Sequence, residues 1–249
     1  MLTRQVLALL LASASSLATA CSGSIGASTF NQPAADAGGP IPTDAGATFN
    51  VGDDESNDGP CSPAPLSPSF APVWRAPLAS ASGACTGDQI QGFYDACLAS
   101  GVTPKGCTTF VSANTSCAAC LQSSDTDTKY GAVIWHDSGS YYTINVAGCI
   151  ADEENDTSST GCAASYQAVL ECKETACTQC YDPSSGDFAR FAACEGNAGT
   201  ECEKYQTAEE TACGGDLADA GSPASACQPG PGATGEDAYL LVAPVLCGN

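Results

Sequence analysis

The sequence has few basic residues, with 7 Lys and Arg against 28 Asp and Glu among 249 residues, and its formal net charge is −21. Proteins that bind nucleic acid use Lys and Arg to displace counterions from phosphates, so this charge excludes nucleic-acid binding. Such acidity is typical of a protein that is soluble outside the cell. The alternative is an acidic patch that meets a cationic partner.

Histidine is scarcer still, because His136 is the single one in the chain. A hydrolytic triad would have to use it, but the sequence has no Gly-x-Ser-x-Gly motif and Asp137 is only its chain neighbour. We therefore expect His136 to be an exposed loop residue. A loop that starts at Asp125 resembles a calcium site, but Lys129 takes its fifth position and His136 takes the place of the final Glu. No pair of acids stands out, although a glycosidase that uses two carboxylates stays open.

Long apolar runs are also missing, since no stretch approaches the roughly 20 apolar residues that a membrane helix needs. The amino terminus has Arg4, a short apolar core over residues 6–11 and then small residues up to Cys21. This pattern predicts a signal peptide over residues 1–20. The segment before Cys21 resembles the lipobox of bacterial lipoproteins, and Ser22 after it resembles the outer-membrane sorting pattern. We expect Cys21 to be lipidated, and the alternative is ordinary signal cleavage nearby.

Cysteine, in contrast, is abundant, and the 17 residues form an odd number. Without Cys21, sixteen remain, and they can pair completely as eight disulfides, which favours a lipid on Cys21. Such a density indicates a disulfide scaffold in an oxidising compartment. The disulfide candidates are Cys61, Cys85, Cys97, Cys107, Cys117, Cys120, Cys149, Cys162, Cys172, Cys177, Cys180, Cys194, Cys202, Cys213, Cys227 and Cys247.

Composition divides the chain into four parts. Residues 1–20 are the signal peptide, and residues 21–60 hold the lipidated Cys21 and a linker of small and acidic residues that cannot bury a core, so we expect disorder there. Residues 61–84 are rich in proline, which predicts an extended strap that lays Trp74 onto the folded head. A proline-rich ligand for an aromatic groove is the alternative for the strap. Residues 85–249 form a cysteine-rich helical domain.

Apolar spacing predicts several short helices in this domain. The first contains Ile90, Phe93, Tyr94 and Cys97, with Asp88 as its cap. The second starts at Thr103 and Pro104 and runs to Leu121. A third follows residues 158–160, and shorter helices are expected over residues 186–195 and 201–213.

Two runs of branched and aromatic residues, 130–135 and 141–146, predict a β-hairpin around a short loop. Its Trp135, Tyr141 and Tyr142 are expected to cover helix faces. The apolar run 239–247 predicts a terminal strand. The expected fold class is therefore mainly α and disulfide-rich, with short helices, one β-hairpin and a long disordered amino-terminal tether.

Cysteine spacing further suggests a repeated unit over residues 103–150 and 158–213, although helices reuse such spacings by themselves. The motifs 117–120 and 177–180 each have the form Cys-x-x-Cys. They lie too far apart for a compact zinc ribbon, and both fall at helix ends, so we expect structural bridges and no metal or cofactor. We expect Cys227 to pair with Cys247, closing a Gly-Pro loop, although either can instead reach the helical core.

The residues Trp74-Arg75 and the segments 84–97, 147–150 (a strand end) and 246–248 resemble a group of cysteine-rich bacterial lipoproteins of unknown function. The resemblance spans residues 70–249 and implies a fold and a cell-envelope location, but no activity or ligand. We expect a non-enzymatic binding or structural module, joined to the outer membrane by its lipid, with an unknown protein or surface ligand as partner. The alternatives are a secreted inhibitor or effector, and an envelope hydrolase that uses paired carboxylates.

Overall fold

A computed structural model of the chain describes residues 61–78, 83–136, 139, 141–181, 189–217, 219, 221–230 and 233–248. The predicted signal peptide, Cys21 and the linker lie outside the described residues, as do Asp137 and most of the hairpin loop. Within the described ranges, no helix combines the length and apolar character needed to cross a bilayer.

The described residues confirm the predicted mainly α fold class, with eight short helices and one small sheet. The helices are α1 (Gly87–Phe93), α2 (Pro104–Ala113), α3 (Thr115–Leu121), α4 (Val146–Glu153), α5 (Cys162–Cys177), α6 (Ala189–Asn197), α7 (Gly199–Cys213) and α8 (Gly235–Cys247).

The sheet consists of β1 (Gln122–Ser124), β2 (Val133–His136) and β3 (Tyr141–Ile144), in that order. Strands β2 and β3 pair antiparallel and confirm the predicted hairpin. Strand β1 pairs parallel with β2 and was not predicted. Its three polar residues carry no alternating apolar signal, which explains the omission.

Local side chains decide where the first helices begin and end. Helix α1 is capped by Thr86 in a capping box with Gln89, so the prediction of Asp88 as the cap is wrong by two residues. The predicted second helix is broken at Asn114, whose backbone leaves the helical region between α2 and α3. The Asn114 side chain stabilises the break, since its Nδ2 donates to the Phe110 oxygen and its Oδ1 accepts from Gln89 Nε2.

The prediction of a terminal strand is wrong, because the chain forms α8 there. Thr234 Oγ1 accepts from the Asp237 backbone N–H, and Asp237 Oδ2 accepts from the Thr234 backbone N–H, so a capping box starts the helix. The description of residues 147–150 as a strand end is also wrong. Asn145 Oδ1 accepts from the Gly148 N–H at 2.8 Å and starts α4 instead.

All sixteen cysteines from Cys61 to Cys247 form disulfides. The bridges are Cys61–Cys180, Cys85–Cys117, Cys97–Cys107, Cys120–Cys247, Cys149–Cys227, Cys162–Cys213, Cys172–Cys202 and Cys177–Cys194. Each member of the two Cys-x-x-Cys motifs bonds to a partner outside its own motif. The two predicted repeat units share no bridging pattern, and their duplication stays a prediction.

The predicted Cys227–Cys247 bridge is wrong. Helix α8 carries Cys247 to α3, where it bonds Cys120, and the Cys247 oxygen accepts from the Cys85 N–H at 2.9 Å. A turn of 3₁₀ helix with Cys227 packs on α4 and bonds Cys149 there. The prediction assumed an extended tail, and a helical tail sends the two cysteines to different neighbours.

The core consists of two clusters. The larger one is built from α1, α3, α4, α8 and the sheet around Phe93, Tyr142 and Tyr239. The smaller one lies between α5, α6 and α7, and most of its buried side chains are half-cystines. A cluster with so little aliphatic surface depends on its disulfides for stability.

The proline-rich strap crosses α5 and reaches both clusters. Cys61 bonds Cys180 in the 3₁₀ turn that follows α5, and the Trp74 indole N–H donates to the Thr157 oxygen at 3.0 Å. Beyond Trp74 the strap exchanges two backbone hydrogen bonds with Tyr130, through Ala76 and Leu78. The strap therefore forms one wall of the space between α5 and the hairpin.

Candidate functional site

A cavity of about 250 Å³ lies between the hairpin, α5 and the strap. We call it the acidic cavity, and the side chains that give it its chemistry are Asp125, His136, Thr143, Gln167, Glu171 and Glu174. The last three belong to α5 at positions i, i+4 and i+7, so they share one helix face. His136 and Thr143 come from facing strands of the hairpin.

His136 is buried in this cavity at 9% exposure, so the prediction of an exposed loop histidine is wrong. It is the last residue of β2, and its ring stacks on Tyr141, with 4.6 Å between ring centroids. Its Nε2 lies 2.9 Å from Thr143 Oγ1, and its Nδ1 lies 3.3 Å from Glu174 Oε1. The histidine thus joins a hydroxyl to a carboxylate across the cavity wall.

Glu174 orients the His136 ring and the Tyr141 hydroxyl. Its Oε1 accepts from the Tyr141 hydroxyl at 2.5 Å and faces His136 Nδ1. A carboxylate at Nδ1 favours the tautomer with a proton on that nitrogen, which leaves Nε2 to accept from the Thr143 hydroxyl. The order hydroxyl, imidazole, carboxylate is the order of a hydrolytic triad.

Glu171 connects the strap to α5. Its Oε2 accepts from the Val73 N–H at 3.0 Å, its Oε1 accepts from Gln167 Nε2 at 2.6 Å, and the Arg75 guanidinium lies 3.6 Å from Oε1. Burial raises the pKa of the Glu171 carboxyl, and the Val73, Gln167 and Arg75 contacts oppose that rise. Both oxygens of the Glu171 side chain therefore already accept hydrogen bonds from within the protein.

Gln167 has a polar atom without a partner. The residue is 5% exposed, and its Nε2 donates to the Val73 oxygen and to Glu171 Oε1. Its Oε1 is buried and accepts no hydrogen bond. An unsatisfied buried acceptor costs about 1–3 kcal/mol, so it calls for an explanation in a folded protein.

The loop that begins at Asp125 holds its own carboxylates. Asp127 Oδ2 accepts from the Ser124 N–H at 2.8 Å, and Asp125 Oδ1 accepts from Ser124 Oγ at 3.0 Å. Across the part of the chain that the structure describes, no group of three or more His, Cys, Asp or Glu side chains is arranged to hold a metal ion.

Carboxyl groups outnumber basic groups around the acidic cavity. Asp125, Glu171, Glu174 and Glu195 line it, and in the described lining Arg75 is the one Lys or Arg. Apolar lining comes from residues such as Ile134, Ile144 and Leu170. The arrangement suits a ligand with a cationic end and an apolar body.

None of the sixteen disulfide candidates lines this cavity, so their role is to hold the surrounding elements together. Sequence reasoning missed Thr143, Gln167, Glu171 and Glu174. The available signal was the polar stripe at i, i+4 and i+7 on the helix expected after residues 158–160. Its pairing with His136 depends on contacts between distant segments.

Comparisons of this chain with protein-family models, with curated proteins and with solved structures give no match.

Proposed function

We propose that the protein is an exported, non-enzymatic binding module of the bacterial cell envelope, anchored in the outer membrane by a lipid on Cys21. Eight disulfides support an oxidising compartment, and the lipobox-like segment before Cys21 supports the anchor. The net charge of −21 supports a partner other than nucleic acid. The alternative is a secreted inhibitor or effector, which would be released from the membrane by cleavage of the linker.

The acidic cavity carries the binding part of the proposal. Ligand sites are concave and mostly apolar, with a few converging polar groups, and this cavity has that composition. Its 250 Å³ is slightly smaller than the roughly 300–1,000 Å³ of sites for drug-sized ligands. A small molecule or the end of one side chain is therefore the expected occupant.

A screen of small cationic, neutral and anionic compounds by NMR tests the binding function. His136 is the single histidine, so in untagged protein its ring protons report on this cavity alone. We expect at least one compound to shift them saturably at constant pH. A broad screen that leaves the His136 signals unchanged in folded protein would contradict the binding function.

Membrane anchoring is tested by Cys21→Ala. We expect the variant to leave the membrane fraction while its head stays folded, because the linker separates Cys21 from the first bridged cysteine, Cys61. The matched control is Ser22→Ala, which keeps the acylated thiol. If Cys21→Ala still sediments with outer membranes after a high-salt wash, the proposal of a lipid anchor on Cys21 is wrong.

An envelope hydrolase is the second candidate, and the Thr143–His136–Glu174 order favours it. Thr143 Oγ1 would attack an ester carbonyl carbon while His136 Nε2 takes its proton, and His136 would return that proton to the leaving alcohol. Water would then release the acid from Thr143. A hydrolase that uses paired carboxylates is less favoured, since both Glu171 oxygens already accept hydrogen bonds. Turnover of simple esters that disappears in Thr143→Val would establish the hydrolase.

A further inference from the structure

We propose that this chain is a substrate of a thiol–disulfide isomerase, which reopens local bonds inside its two Cys-x-x-Cys motifs before the native bridges form. The inference goes beyond the proposed binding function and takes from it only export to an oxidising compartment. Its support is the order in which the bridges join the sixteen described cysteines. Cys97–Cys107 joins two cysteines that follow one another, and every other bridge passes over at least one further cysteine.

The two Cys-x-x-Cys motifs are the places where local pairing competes most strongly with the native pattern. Loop-closure probability in an unfolded chain falls with about the three-halves power of loop length. The native Cys120–Cys247 bridge has a sequence separation of 127, so chain entropy favours a local Cys117–Cys120 bond by more than about a hundred-fold. The second motif competes in the same way with the strap bridge, whose separation is 119. Such small rings exist in oxidoreductases, so we expect both local bonds to form early.

The native fold keeps neither local bond. Cys117 and Cys120 share α3, but Cys117 bonds Cys85 ahead of α1, and Cys120 bonds Cys247 at the end of α8. The second motif likewise divides its cysteines between α6 and the strap. All four motif cysteines are buried in the folded protein, so the exchange has to precede the final packing.

Noncovalent packing gives the second motif little guidance towards its native partners. The motif belongs to the smaller core cluster, whose eight buried residues are five half-cystines, two alanines and Phe191. Before the bridges form, this cluster has too little apolar surface to hold the correct sulfurs side by side. The native pairs are therefore reached by repeated exchange, which is the reaction that an isomerase accelerates.

The exchange conserves the number of disulfides. A thiolate of the isomerase attacks Cys120 Sγ in the local bond, a mixed disulfide forms, and the electron pair of the broken S–S bond leaves on Cys117 Sγ. The Cys247 thiolate then attacks Cys120 Sγ in the mixed disulfide, which forms the native bridge and returns the isomerase thiolate. The freed Cys117 thiolate attacks Cys85 Sγ in whichever disulfide holds it.

The test uses the full chain from residue 21, with Cys21→Ala so that only the sixteen bridging cysteines are present. The protein is oxidised in guanidinium until no free thiol remains, and is then diluted into a trace of reduced glutathione with or without protein disulfide isomerase. Recovery needs no oxidant, so its rate measures exchange alone. Non-reducing peptide maps and thermal unfolding count the native protein.

We expect the isomerase to raise the rate of recovery by about ten-fold or more, because reshuffling takes seconds to hours depending on the isomerase. Without the isomerase, early maps should contain the Cys117–Cys120 and Cys177–Cys180 bonds. These bonds should disappear as the Cys120–Cys247 and Cys61–Cys180 peptides appear.

A pair of double variants tests the first motif. Cys85→Ser with Cys117→Ser removes one native bridge and also prevents the local bond to Cys120. The matched control is Cys97→Ser with Cys107→Ser, which removes the bridge between successive cysteines. Without isomerase, we expect the first variant to recover about two-fold faster than the control, since one of two local bonds is gone. If the first variant does not fold, the early maps of the unsubstituted cysteines decide.

Several outcomes overturn the inference. Recovery that is equally fast with and without the isomerase would remove the need for such a partner. Early maps that contain neither local bond, or equal recovery of the two double variants, would overturn the role given to the motifs. None of these results concerns ligand binding, which the His136 signals test separately, so failure of this inference is distinguishable from failure of the proposed function.

Discussion

At the scale of single residues, Tyr141 organises the acidic cavity through one hydroxyl and one ring. The hydroxyl donates to Glu174 at 2.5 Å, and the ring stacks on His136. Tyr141→Phe keeps the ring and removes the hydroxyl. A hydrogen bond to a charged group contributes about 1.5–3 kcal/mol, so we expect the free energy of unfolding to fall by about 2 kcal/mol.

Guanidinium unfolding of Tyr141→Phe measures this loss, and Tyr205→Phe is the matched control. The Tyr205 hydroxyl lies 3.4 Å from the neutral Phe70 oxygen, so its removal should cost less than about 1 kcal/mol. Equal losses in the two variants would contradict the importance of the Tyr141–Glu174 contact.

A second residue, Glu209, makes stability depend on pH. Burial raises the pKa of Glu209 from 4.5 to about 7, Lys173 opposes the rise and Glu210 adds to it. Because the folded protein disfavours the ionised carboxyl, stability should fall as the pH rises from 4.5 through 7. One pKa unit is about 1.4 kcal/mol, and solvent screening at this partly exposed site reduces the total to about 1 kcal/mol.

Glu209→Gln removes this penalty. We expect it to raise the free energy of unfolding by about 1 kcal/mol at pH 8 and to leave it unchanged at pH 4. Glu203→Gln, an exposed acid on the same helix, should change it at neither pH. A gain that is the same at both pH values would show that packing, rather than ionisation, is responsible.

At the scale of elements, Gly131 permits the close approach of the segment before β2 to the end of α3. A Cβ at position 131 would lie 2.6 Å from the Cys120 oxygen and 3.0 Å from the Gln122 nitrogen, and backbone atoms cannot move aside cheaply. We expect Gly131→Ala to lower the free energy of unfolding by about 3 kcal/mol. A small loss would mean that residue 131 does not approach the end of α3 and the start of β1 this closely.

Gly196→Ala is the control for that variant. Nothing lies within 4 Å of the corresponding Cβ, and the residue belongs to α6. Alanine favours the helix over glycine by about 0.5–1 kcal/mol, so this change should stabilise the protein. Thermal unfolding of the two variants compares a crowded glycine with an open one.

Elements whose signals are local could be predicted from the sequence. Apolar spacing located α1 and α5, Thr103 and Pro104 located the start of α2, and the branched and aromatic runs located the hairpin. These signals depend on residues within one or two turns of each other, so they need no knowledge of the tertiary structure.

Other elements could not be predicted because their signals are ambiguous or distant. The apolar run in α8 suits a buried strand as well as a helix, and only the Thr234–Asp237 capping box distinguishes them. Strand β1 exists because β2 pairs with it. The acidic cavity joins α5 to a hairpin and a strap far away in sequence, so its side chains could not be assigned to one site.

At the scale of the whole molecule, disulfides join the strap to the turn after α5, and α5 to α6 and α7. A disulfide contributes about 2–4 kcal/mol, and a domain has a net stability of about 5–15 kcal/mol. The free energy lost with several bridges therefore exceeds the net stability of the domain. We expect the reduced protein to lose its cooperative thermal transition, and a transition that survives full reduction would show that the apolar core suffices.

Peptide mapping of the native protein by mass spectrometry, under non-reducing conditions, tests the disulfide framework most directly. We expect eight bridges, with Cys61 linked to Cys180 and Cys120 linked to Cys247, and no free thiol among these sixteen cysteines. The Cys149–Cys227 pair is the most informative one, because it distinguishes a helical tail from an extended one. A Cys227–Cys247 peptide, or two or more free thiols per folded head, would contradict the framework that shapes the cavity.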